Sequence, residues 1–155
     1  MRIRSALLLA AILAAQFSCG TLRQMEYDRN LRTWQESKIA NYRMSVNLQK
    51  TGHAAPNGKF VITVRGGVAE SIKGFDSDID VWRPERFGGY NTIDNIFEFI
   101  ERAEKRVQEK NGSWNIREVE YDSKLGYPKR AKLDEARVLD DEILFEVLQF
   151  EILAE

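Results

Sequence analysis

The sequence predicts an α+β domain, an antiparallel β-sheet with helices packed on one face, in the order α-β-β-β-α-β-β-β. Three observations predict it. Residues 42–49 alternate without fault, with Tyr42, Met44, Val46 and Leu48 apolar and Arg43, Ser45, Asn47 and Gln49 polar, the pattern of a strand covered on one side and wet on the other. Gly66-Gly67 separates two apolar runs where a two-residue hairpin turn needs positive φ. Between residues 93 and 107, Ile93, Ile96, Phe97, Ile100, Ala103 and Val107 fall at helical spacing.

The amino terminus stands apart from this domain. Arg2 and Arg4 give a positive start, and residues 6–15 form an uncharged apolar run too short to span a bilayer. Residues 1–18 therefore read as a signal peptide. The only cysteine, Cys19, follows directly behind Ser18, where bacterial lipoproteins are cut and acylated, although Gln16 and Phe17 depart from the usual lipobox. On that reading residues 19–24 are a lipid-anchor tether and residues 25–155 a single α+β domain. Cleavage after Gly20 is the other reading, and it would free the protein and discard Cys19.

Each element then has its own reason. Tyr27, Leu31 and Trp34 form one stripe of a helix over residues 21–38, with Trp34 expected in the core. Residues 42–72 read as a three-stranded meander, with turn chemistry at Pro56-Asn57-Gly58 and at Gly66-Gly67. Thr92 is placed to cap the second helix, Asp94 sits in its first turn, and Gly112 is placed to end it. Trp114 and Ile116 are even while Val119 and Tyr121 are odd, so a bulge is expected between them. Asp122, Gly126 and Pro128 make a wide turn, and Ala131 and Leu133 mark the returning strand. Residues 142–153 are apolar on both faces, as a central strand would be. The halves share their element order without an alignable residue pattern, which leaves a structural repeat open.

The stretch Tyr121-Asp122-Ser123-Lys124-Leu125-Gly126-Tyr127-Pro128, followed by Asp140-Asp141-Glu142-Ile143, resembles a bacterial envelope family, domain-of-unknown-function family six-one-seven-four. Trp34 to Tyr42 and Thr92-Ile93-Asp94 add to the resemblance, which covers about residues 31–150. It implies a cell-envelope setting and no activity. Family members carry a cysteine pair near the loop at residues 51–58; here Thr51, Gly52 and His53 stand there instead, so no thiol role carries over.

Charge and residue inventory narrow the chemistry. With 23 basic and 24 acidic residues, no basic stripe points to nucleic acid. The lone His53, in a loop, offers no base to a nucleophile, and too few His and Cys exist for zinc. Asp76, Asp78 and Asp80 open like a calcium loop, but Val81 and Phe87 stand where Gly and Glu are needed. No cofactor or metal is expected, and no enzyme.

The expected protein is exported to the bacterial cell envelope, held to a membrane by lipid on Cys19, and non-catalytic, with another envelope protein or peptide as partner. Candidate binding residues are Trp82 and Arg83 in the long loop and Asp122, Gly126, Tyr127 and Pro128 at the hairpin. Burial of Trp82 and Phe87 over the sheet edge is the competing reading of that loop, and plain turn chemistry that of the hairpin. The alternative function is a small hydrolase or ligand site built on Asp122, Asp140, Asp141 and Glu142, which requires those carboxylates to converge.

Overall fold

The computed structural model describes residues 23–51, 57–76, 81, 87, 89–108, 114–135 and 142–154. Helix α1 (residues 23–37) is followed by strands β1 (Tyr42–Lys50), β2 (Gly58–Arg65) and β3 (Val68–Gly74). Helix α2 (Ile93–Gln108) then leads to β4 (Trp114–Tyr121), β5 (Pro128–Glu135) and β6 (Glu142–Ile152). The order is the one the periodicities predict.

The six strands form one antiparallel sheet in the order β3-β2-β1-β6-β5-β4. Each half is a meander of local hairpins, and the halves meet where β1 pairs with β6, Tyr42 opposite Ile152 and Lys50 opposite Ile143. Gly66 and Gly67 both adopt positive φ (57° and 78°), and Arg65 pairs with Val68 across them. The expected irregularity in β4 falls between Ile116 and Glu118, which returns Val119 and Tyr121 to the covered side. A second irregularity, between Ser45 and Val46 against β6, leaves Leu148 as the extra residue and brings Phe150 over Met44.

Alternation decides the covered face. Tyr42, Met44, Val46 and Leu48 of β1 join Phe60, Ile62 and Val64 of β2 and Ile143, Phe145 and Val147 of β6 in a single buried cluster. The apolar stripe of α2, from Ile93 through Ala103, closes over it above β4 and β5. Thr92 Oγ1 accepts from the Asn95 N–H at 3.1 Å, the predicted cap. A tyrosine from the sheet adds another: the Ile93 N–H donates to the Tyr42 hydroxyl at 2.8 Å. From α1, Trp34 Nε1 donates to Asp94 Oδ1 at 3.1 Å and the Tyr27 hydroxyl donates to the Phe97 carbonyl at 3.1 Å. Both helices therefore lie on one face and hold each other there.

The halves repeat their element order without repeating the structure. Strand β4 runs opposite to β1, so laying one meander on the other in the same lateral order requires turning the sheet over. That operation would carry one helix to the far face, whereas both helices share one.

Candidate functional site

The hairpin between β4 and β5 turns inward. Asp122 Oδ1 accepts from the Lys124 and Leu125 N–H groups at 3.0 and 2.8 Å, the Gly126 N–H donates to the Asp122 carbonyl at 2.9 Å, and the Asp122 N–H donates to the Tyr127 carbonyl at 2.8 Å. Asp122 is thus committed to the turn's own backbone. Gly126, at φ 75°, lies so close beneath α1 that a β-carbon there would collide with the Asn30 carbonyl and Thr33. Tyr127 is 7% exposed, its ring stacked on Phe150 at 4.6 Å and edge-on to Trp34 at 6.3 Å. Pro128 is buried as well. Gly126, Tyr127 and Pro128 accordingly serve as the socket for α1 and present no aromatic surface to solvent.

The proposed acidic site does not assemble from the residues described. Asp122 lies beyond Tyr121, whose partner is Pro128 at the start of β5, while Glu142 pairs with Asp134 near its end. Six residues of strand separate those partners, about 20 Å. Glu142 is exposed and forms an ion pair with Lys132 at 3.4 Å. Asp140 and Asp141 lie outside the described residues, as do Cys19, His53, Asp78, Asp80, Trp82, Arg83 and Gly112. Phe87 is described and is 2% exposed, edge-on to Phe60 at 5.1 Å, the burial expected for that loop's aromatic. Among the described residues no three His, Cys, Asp or Glu side chains come close enough together to hold a metal ion. Among them, too, no helix is long and apolar enough to cross a membrane.

Among the described residues, the other face of the sheet is left open. Over β4, β5 and β6 it carries opposite charges in pairs: Arg117 with Asp134 at 2.6 Å, Arg130 with Glu118 at 3.7 Å, and Lys132 with Glu142. Over β1, β2 and β3 the side chains on the floor are short, and a hollow of about 740 Å³ opens. Register explains it. Thr63 lies opposite both Arg43 of β1 and Ser71 of β3, and Val61 lies opposite Ser45 and Lys73, so small groups are ringed by long ones. Arg65 stands two residues along β2 from Thr63 on the same face. Phe75, 40% exposed, forms part of the rim beneath the Lys59 ammonium, which sits 5.8 Å from its ring centroid. A second hollow of about 390 Å³, over Ser45 and Gln149, shares Arg43 with the first.

A family model described as a family of unknown function, DUF6174, matches residues 26–152. The chain belongs to the DUF6174 family. No curated protein and no solved structure matches it. In this DUF6174 chain the matched span runs from α1 to the last residue of β6, so the helix, its socket at Gly126 and the open face all fall within the family's domain.

The polar floor of the hollow was missed by pattern reading, which takes Arg43, Thr63 and Ser71 as ordinary wet positions of strands. Adjacent short polar residues on neighbouring strands, flanked by arginines, are the signal that finds it once register is known.

Buried phenols set the protein's response to alkali. Burial pushes Tyr27 up to about 12 and raises Tyr42, Tyr121 and Tyr127 as well, with nearby carboxylates adding to the shift. A phenol raised in the folded state contributes stability that is intact below the unfolded pKa of about 10 and is lost as pH climbs through the folded value. Urea midpoints are expected to hold steady up to about pH 9 and to fall from about pH 10 upward, with the tyrosinate absorbance of these four phenols developing as the fold is lost. A midpoint unchanged above about pH 11 would contradict the burial of these hydroxyls.

Proposed function

We propose that this DUF6174 protein is an exported cell-envelope lipoprotein, anchored through Cys19, that acts without catalysis by binding another envelope protein or peptide on the uncovered face of its sheet. The observation that carries this reading is the unequal treatment of the two faces. Two helices, the hairpin turn and Phe87 fill one side, while the other keeps a hollow lined by arginines, hydroxyls and an exposed phenylalanine. Surface arginine and aromatic groups grouped in a concavity are the composition favoured at protein contacts. Its size also falls within the range of about 300–1,000 Å³ typical of ligand-holding clefts.

Export and anchoring are supported by the residues ahead of the domain: a positive start, a short apolar run and a single cysteine. Cys19→Ala is expected to move the protein from the membrane to the soluble fraction of cells. Retention in the membrane at the wild-type level would remove the lipid anchor from the reading. A photo-crosslinking residue at Val61, on the hollow's floor, is expected to capture a partner in intact envelopes. The same residue at Arg117, over the ion-paired half of the sheet, is expected to capture none.

A further inference from the structure

We infer that the hollow over β1, β2 and β3 receives an extended acidic segment of a partner protein, with a carboxylate seated between Arg43 and Arg65 above Thr63 and Ser71. This rests on the reading that the uncovered face binds a partner, and adds what the partner must present.

The geometry comes from register. Thr63 is the cross-strand partner of Arg43 on one side and of Ser71 on the other, and Arg65 projects from the same face two residues further along β2. Cross-strand neighbours stand about 5 Å apart and same-face neighbours along a strand about 7 Å, so both guanidinium stems rise from around one hydroxyl floor. A guanidinium offers a planar fork that matches a carboxylate bidentately, and hydroxyls below it supply further donors.

Both arginines keep capacity for a ligand. Arg43 reaches Glu151 at 3.5 Å, and both side chains are about half exposed, a type of pair worth about 0–1 kcal/mol and readily exchanged. Arg65 donates from Nη1 to the Ala154 carbonyl at 2.8 Å, which uses one of its five N–H groups. The acids lining the hollow, Glu70 and Asp76, belong to β3 and the turn beyond it, so the side formed by β1 and β2 is cationic.

An extended polypeptide suits the remaining lining. Val61 and Phe75 give an apolar neighbour to the cationic side, and the second hollow carries the concavity across Arg43 toward Gln149 of β6. An extended chain projects residues two or four apart from one face, so a carboxylate and an apolar group at that spacing reach the arginines and Phe75 together.

The test is a titration of the full chain, in detergent micelles, with a short peptide in which serine separates alternating glutamates and valines, so that both project from one face, followed by amide chemical shifts. Saturable binding is expected, with the largest shifts at Thr63 and Ser71 and an affinity that falls as salt is raised. Arg43→Gln and Arg65→Gln are each expected to weaken it about tenfold, the size of one charge-assisted contact, with unchanged urea midpoints. Equal binding of the glutamine–valine counterpart overturns the inference, as does tighter binding of the lysine–valine one or shifts confined to the helical face. Competition by inorganic phosphate or acetate at the peptide's own affinity also overturns it, because the site is then a small-anion site. Crosslinking from Val61 separates this inference from the reading beneath it. Crosslinks from Val61 that survive in the doubly substituted R43Q/R65Q chain sink the acidic segment alone, while no crosslink from Val61 in the chain that keeps both arginines sinks partner binding on this face.

Discussion

Gly126→Ala is expected to destabilise the domain by roughly 2–5 kcal/mol, the sum of backbone strain and overpacking. The residue holds φ at 75°, where a side chain costs about 1–2 kcal/mol. The larger part comes from what lies above it. A β-carbon there would stand 2.4 Å from the Asn30 carbonyl oxygen and 2.9 Å from Thr33 Cβ. Neither neighbour is the far end of a flexible side chain, since one is helix backbone and the other is fixed to it. Helix α1 would have to lift, and with it Trp34, which bonds Asp94 on α2. Gly66→Ala is the matched control: φ is 57° and a β-carbon would meet nothing within 4 Å, so only the strain of about 1 kcal/mol is expected. Urea denaturation of both variants separates the two contributions. Equal losses would mean that the approach of α1 is not what requires glycine at 126.

How much of this was legible in the sequence differs between the two sides of the sheet. The covered side could be read because burial writes itself into periodicity: the faultless alternation of residues 42–49, the helical stripe ending in Ala103, and the parity change between Ile116 and Val119 all reported true features. Turn chemistry was equally readable at Gly66-Gly67 and at Thr92. What pattern could not supply was which distant elements meet. Asp122, Gly126 and Pro128 signal a turn whatever lies above them, so the same residues fit an exposed recognition loop and a socket for α1. Only the Asn30 carbonyl over Gly126 and the Phe150 ring on Tyr127 decide between these. The open side was illegible for a related reason. Thr63 and Ser71 are unremarkable as wet strand positions, and the hollow exists because register sets them side by side with Arg43 at their flank. Glu142 was likewise grouped with Asp122 by sequence pattern, while β5 holds the two apart.

Trp34→Ala is expected to cost about 3–5 kcal/mol, the range for removing a buried large aromatic, and to lower the melting temperature by about 2–4 °C for each kcal/mol. The indole is 3% exposed and edge-on to three rings: Tyr42 at 5.7 Å, Phe150 at 6.0 Å and Tyr127 at 6.3 Å. Those rings come from β1, β6 and the hairpin turn, so one side chain of α1 closes a junction of three otherwise separate segments. Trp34→Phe keeps an aromatic there and loses mainly the Nε1–H donated to Asp94, so about 1–2 kcal/mol is expected. The decisive measurement is the double variant with Gly126→Ala. Both substitutions act by undocking α1, so the second has little left to disturb, and their combined cost is expected to fall at least 1 kcal/mol short of additivity, roughly the coupling seen for residues sharing partners. Full additivity would mean that Gly126 and Trp34 hold α1 independently. The Tyr127 ring, which joins the two through its stacking on Phe150 and its contact with Trp34, would then not transmit the loss of one to the other.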